Sequence, residues 1–193
     1  MEKDRLLAFT DGVIAVVITI MVLELKVPHE ASVRALEALT PIFLTYVLSF
    51  IYVAIYWNNH HHLFHVVRHV DGVILWANIH LLFWISLIPF ATGWMGENHF
   101  APITTAVYGV ALLMPALAWQ GLQYTIIRRQ GSDSALARAI GRDLKGKVSL
   151  VLYLVGILSA FLVDTRIAGA IYLLVALLWL IPDRRIEMTV HRP

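Results

Sequence analysis

Chemistry in this chain has to be sought among the few polar side chains that lie inside or beside its apolar runs, because nearly all of its charged residues fall between those runs. In the first run, Arg5, Phe9, Thr10, Asp11 and Gly12 lead into Val13-Ile14-Ala15-Val16, Thr19-Ile20 and Leu23-Glu24-Leu25. Asp11 falls two turns inside the helix this run predicts, with Arg5 below it. An acid at that depth ordinarily faces protein or water rather than lipid, so buried hydrogen-bond donors are expected around it. At about 100° per residue, Gly12, Val16, Ile20, Leu23 and Val27 share one narrow stripe, with Thr19 at its edge and Asp11 on the far side. By spacing alone such a stripe is an ordinary helix–helix seam.

A second concentration of chemistry is Trp57-Asn58-Asn59-His60-His61-His62, followed by His65, Arg68 and His69. If the segment is helical, His61, His65 and His69 lie on one face at i, i+4, i+8, a spacing open to a metal ion or haem. The alternative is a polar network near Arg5 and Asp11, with Trp57, His60 or His61, and Asn78 from the next run supplying donors to the acid. There is no Gly-x-Ser-x-Gly elbow, Walker loop or His-Glu-x-x-His, so an enzyme is not expected. With no cysteines, thiolate chemistry and disulfides are excluded.

The elements that must position these residues are membrane helices. Of 193 residues, 59% are hydrophobic and 15% charged, and the mean hydropathy is +0.73. That is too little polar surface to wet the outside of a domain this size, so lipid is the expected surroundings. The pI near 9.0 belongs with a net charge of only +2; the basic residues read as topology signals rather than as a nucleic-acid surface. Six apolar stretches stand out, at 6–27, 39–57, 73–94, 103–127, 148–163 and 167–181. About 20 apolar residues span the hydrocarbon core. The first run is longer than a signal-peptide core and lacks a small-x-small cleavage site, so it is expected to be retained. The last two are short and separated by Asp164-Thr165-Arg166; a hairpin with that triplet at a surface avoids burying two charges at mid-helix.

An inside N-terminus puts twelve of the fifteen lysines and arginines in the cytoplasm and leaves Lys26, Arg34 and Arg166 outside. This favours an even number of spans with both termini cytoplasmic. The longest polar stretch, 128–147, carries six basic residues. Its Ser132-Asp133-Ser134 start predicts a capped amphipathic helix over 135–144, and its charge could also meet anionic head groups. The expected architecture is all-α: one six-helix transmembrane unit over 1–193. Pro89 and Pro115 could break the third and fourth spans, as a small-solute carrier would require, but no intramembrane charge accompanies them.

Arg5-x-x-x-Phe9-Thr10-Asp11-Gly12 closely resembles the Arg-x-x-x-Phe-Ser-Asp-Gly signature of the transmembrane protein 175 family, lysosomal potassium channels and their bacterial relatives. The likeness continues through Val13-Ile14-Ala15, Thr19 and Leu23-Glu24-Leu25; Thr10 replaces the usual serine and keeps the hydroxyl. The Trp57-x-x-His60 arrangement resembles the family too, in which polar groups of the second and third helices hold the first in place. The resemblance implies a homotetrameric potassium-permeable channel with potassium as the permeant species and no cofactor. Each first helix would line a central pore through Val16, Thr19, Ile20 and Leu23, while Asp11 anchors the helix rather than touching the ion. An apolar constriction of this kind can gate by dewetting. A haem- or metal-binding membrane protein built on His60–His69 remains the alternative.

Overall fold

The computed structural model describes residues 3–131, 134–140 and 143–180, and every regular element among them is helical. The chain runs α1 (Lys3–Met21), a 3₁₀ turn (Val22–Glu24), α2 (Val33–Glu37), α3 (Thr40–His65), α4 (Gly72–Ile85), α5 (Ile88–Glu97), α6 (Pro102–Gln130), α7 (Ala135–Ile140), α8 (Leu144–Leu162) and α9 (Thr165–Leu180). Among the described residues, five stretches are long and apolar enough to cross a membrane: Lys3–Glu24, Thr40–His65, Gly72–Glu97, Pro102–Gln130 and Leu144–Leu162. The sixth expected span is the shorter apolar helix Thr165–Leu180, of 16 residues.

Several boundaries depart from the expected ones for local reasons. The second apolar stretch does not stop at Trp57: α3 continues through the histidines to His65, because nothing between Trp57 and His65 breaks a helix. The third is two helices. Pro89 has no N–H to offer the Ile85 carbonyl, and the chain turns at Ser86-Leu87, where Leu87 N bonds back to Trp84 O at 3.2 Å. Pro115, by contrast, sits buried inside an unbroken α6. Of the helix expected over 135–144, Ala135–Ile140 is helical, and residues 141–142 lie outside the described residues. Ser134 Oγ accepts from Ala137 N at 3.2 Å, whereas Ser132 and Asp133 lie outside the described residues. Leu144 belongs to α8, whose first turn is capped by Asp143, its Oδ1 accepting from Gly146 N. The expected hairpin is present: Asp164 Oδ1 accepts from Arg166 N at 2.7 Å and turns α8 into α9.

Two buried clusters hold the bundle. One joins α1, α3, α4 and α6 through Leu6, Ile14, Leu63, Leu81 and Leu122; the other joins α3, α5, α6, α8 and α9 around Tyr52, Tyr108 and Tyr172. Lipid removes most of the hydrophobic drive between helices, so close packing and interhelical hydrogen bonds must supply the cohesion. Both are visible here. A Cβ on Gly96 would stand 2.7 Å from Ile42 Cα, so α3 and α5 cross at backbone contact. Tyr52 donates its hydroxyl to Tyr172 O at 2.5 Å, and Ser49 Oγ contacts both Thr92 Oγ1 (2.6 Å) and Tyr108 Oη (2.9 Å).

Candidate functional site

The buried face of α1 consists of Leu6, Thr10, Ile14, Val17 and Met21, spaced by four, four, three and four residues. That is the 3.6-residue period of a helix docked along one side. The docking is fixed by polar contacts at one level. Asn78 on α4 is fully buried and donates from Nδ2 to Thr10 Oγ1 at 2.8 Å. Its Oδ1 accepts from His60 Nε2 at 2.8 Å, which puts the imidazole proton on that nitrogen. The His60 ring stacks on Phe64 at 4.4 Å between centroids. Three helices therefore meet through one satisfied chain of side chains, Thr10–Asn78–His60. Below it, Lys3 Nζ donates to Phe64 O and Val67 O, both at 3.3 Å, tying the start of α1 to the carbonyl end of α3.

Asp11 is not buried. One residue beyond Thr10, it lies about 100° around the helix from the docked row, on the surface of the chain, where Trp57 Nε1 donates to its Oδ1 at 3.0 Å. The buried polar residue of the signature is thus Thr10, and the acid holds a half-exposed tryptophan. Of the two candidate histidines, His60 supports α1 through Asn78; His61 is exposed beside Trp57, with ring centroids 6.4 Å apart. Arg5 is exposed and makes no hydrogen bond or ion pair among the described residues. The row expected to unite His61, His65 and His69 does not form. Rings 61 and 65 lie 5.3 Å apart on α3, but the helix ends at His65 and His69 falls in the loop beyond. Among the described residues, no three His, Asp or Glu side chains converge as a metal site would require.

The opposite face of α1 is bare. Gly12 and Thr19 are exposed, and Val16 (54%), Ile20 (46%) and Leu23 (73%) stand out from the chain. Leu23 sits in the 3₁₀ turn, so the stripe ends there; Val27 lies beyond the turn rather than on the helix. Thr19 Oγ1 is within donating distance of Ala15 O (3.0 Å) and Val16 O (2.9 Å). Its single proton is committed to the helix backbone, and outward it offers only lone pairs. An open cleft of about 840 Å³ flanks the stripe, with Phe9, Val16 and Ile20 on one wall and Ser86, Pro89 and Phe90 of the α4–α5 bend on the other.

Sequence reasoning missed Lys3 as a helix-end ligand and the ion pair between Lys26 and Glu97, which joins the segment after α1 to the end of α5. It also missed the pair between Arg129 and Asp71. The spacing of Leu6, Thr10, Ile14, Val17 and Met21 offered a second candidate row, but periodicity alone does not choose between it and the Gly12–Leu23 row. The ion pairs link residues far apart in the chain and left no local signal.

Residues 5–89 match the family model described as "Endosomal/lysosomal potassium channel TMEM175". A potassium channel of Chryseobacterium sp. (strain P1-3) is 54% identical over 190 residues, covering 98% of both chains. A potassium channel of Streptomyces collinus is 33% identical over 135 residues, 66% of each chain. Among solved structures, the crystal structure of a lysosomal potassium-selective channel TMEM175 homolog from Chamaesiphon minutus superposes with a TM-score of 0.81 at 27% identity. It covers 94% of this chain and 98% of that one.

Proposed function

Since this chain belongs to the TMEM175 family of multi-pass potassium channels, a channel family and not an enzyme family, we propose that it is a potassium-permeable channel subunit assembling as a homotetramer, with α1 of each copy lining a central pore. The unit is one six-helix domain with both termini in the cytoplasm, in which Thr165–Leu180 completes the even count. Potassium is the permeant species, and lipid and other copies of the chain are its partners.

The two-sided character of α1 carries this reading. One row is locked to α3 and α4 through Thr10, Asn78 and His60. The other, Gly12, Val16, Thr19, Ile20 and Leu23, touches nothing that would require it to be what it is. Four such rows around an axis make stacked rings of branched aliphatic side chains with one ring of hydroxyls. The aliphatic rings at Val16, Ile20 and Leu23 form a constriction that disfavours water and hence hydrated ions. The Thr19 ring presents oxygen lone pairs, the ligand a dehydrating potassium ion needs. The chain has no Thr-Val-Gly-Tyr-Gly loop, so a backbone-carbonyl filter is not its means of selection. Asp11 and Trp57 lie off the pore row, whereas the exposed Arg5 continues it at the start of α1; Phe9 and the cleft beside it offer an apolar flank for the neighbouring subunit.

The test is purified full-length protein in proteoliposomes, with potassium and sodium flux measured under bi-ionic conditions. Ile20→Asn and Leu23→Asn, which wet the constriction, are expected to raise flux or reduce discrimination between the two ions. Unchanged currents after Asn replacement at each of Val16, Thr19, Ile20 and Leu23 would sink the proposal, as would a monomeric mass in detergent, because a single α1 cannot enclose a pore.

A further inference from the structure

A second concavity lies away from α1, where the last turns of α6 meet the first turn of α4. It measures about 340 Å³ and is lined by Val73, Tyr124, Thr125, Arg128 and Arg129, at the lower end of the range of about 300–1,000 Å³ typical of ligand pockets. The two arginines are held differently. Arg129 Nε lies 2.9 Å from Asp71 Oδ2, and Asp71 is itself fixed by capping α4, its Oδ1 accepting from Val73 N (3.0 Å) and Ile74 N (2.9 Å). Arg128 has no hydrogen-bond or ion-pair partner among the described residues. Asp71 offsets one of the two positive charges, leaving the pocket a net single positive charge carried by the Arg128 guanidinium.

The geometry points to a site for the phosphate of an anionic phospholipid head group at this end of the bundle. The guanidinium of Arg128 supplies planar, paired donors suited to phosphate oxygens. One turn toward the membrane, Tyr124 is 65% exposed, an amphipathic ring placed as interfacial aromatics are at head-group level. Thr125 Oγ1 donates to Gly121 O at 2.7 Å, so within the pocket it can only accept. A head group that carries hydroxyl donors beside its phosphate, as phosphatidylglycerol does, matches that combination; phosphatidylcholine has no hydroxyl to offer and no net charge for Arg128. Gln130 Nε2 reaches His69 O at 3.5 Å and ties the loop before α4 to the end of α6, so a bound lipid would bridge two helices already joined at this point.

The experiment is native mass spectrometry of the full-length protein in detergent, titrated with phosphatidylglycerol or with phosphatidylcholine. Phosphatidylglycerol should be retained preferentially. Arg128→Gln should weaken its retention about tenfold or more, from the roughly 1.5–3 kcal/mol that a hydrogen bond to a charged group contributes, and Arg128→Lys should restore part of it. Arg138→Gln, an equal charge loss at an exposed side chain of α7 outside the pocket, should leave retention unchanged. Equal losses in the Arg128 and Arg138 variants would overturn the site in favour of diffuse charge. Displacement of phosphatidylglycerol by inorganic phosphate at comparable concentration would overturn the lipid assignment in favour of a soluble anion.

Discussion

Thr10→Val is the sharpest probe of how α1 is held. Valine nearly matches threonine in shape, so the core around a fully buried position keeps its volume and loses only the hydroxyl. Asn78 Nδ2 then has no acceptor at the 2.8 Å site it now uses. An interhelical hydrogen bond in a membrane bundle contributes about 0.6 kcal/mol on average and about 1.7 at most, and an orphaned buried amide costs about 1–3 kcal/mol. The expected destabilisation is therefore about 1–3 kcal/mol, while Thr10→Ser, which keeps the acceptor, should cost far less. Asn78→Leu should cost more, about 2–4 kcal/mol, because it also strips the partner from His60 Nε2. In the double variant the orphaned amide is gone, so the two losses should fall short of additivity by about 1 kcal/mol. Denaturant unfolding of the purified full-length protein in micelles, followed by tryptophan emission, measures each of these losses. If Thr10→Val lies within about 0.3 kcal/mol of the parent, or if the pair is additive to about that margin, the Thr10 hydroxyl does not anchor the helix to Asn78.

Two glycines separate packing from function. Gly96→Ala should destabilise by about 1–3 kcal/mol, because its Cβ would press on Ile42 Cα at 2.7 Å and Thr45 Oγ1 at 2.8 Å. Gly12→Ala meets nothing within 4 Å in the chain and should leave unfolding unchanged or gain up to about 1 kcal/mol of helix propensity; a clear loss of chain stability there would contradict the bare face of α1. The hydrogen bond and charge of Glu97 raise the pKa of Lys26, which lies beyond the membrane helix. A raised folded-state value means the pair's contribution is complete below the lysine's ordinary 10.5 and is lost as pH climbs through the higher folded value. Because the Lys26 side chain is largely exposed and that of Glu97 partly so, the effect should be small. It is read as a loss of thermal stability above that pH in the parent that Lys26→Met does not share.

What the sequence settled by itself was the environment and the general plan. A chain with 15% charged residues and long apolar runs has to present apolar surface to lipid whatever its tertiary details, and backbone hydrogen bonding in lipid then demands helices. The hairpin at Asp164 was legible for a related reason: the charges of Asp164 and Arg166, so close in the chain, cannot cheaply lie at mid-membrane. The fates of Pro89 and Pro115 were not. A missing N–H breaks one helix and is absorbed in the other, according to how the neighbouring helices pack around it.

The same limit applied to α1. Its sequence displays two apolar rows and an acid, and periodicity ranks neither row above the other. Only the packed bundle decides that Thr10, not Asp11, is the buried polar residue, because the decision rests on Asn78 and His60, 68 and 50 residues away in the chain. His69 was lost from its expected row for the converse reason: helical register carries meaning only as far as the helix runs, and α3 stops at His65.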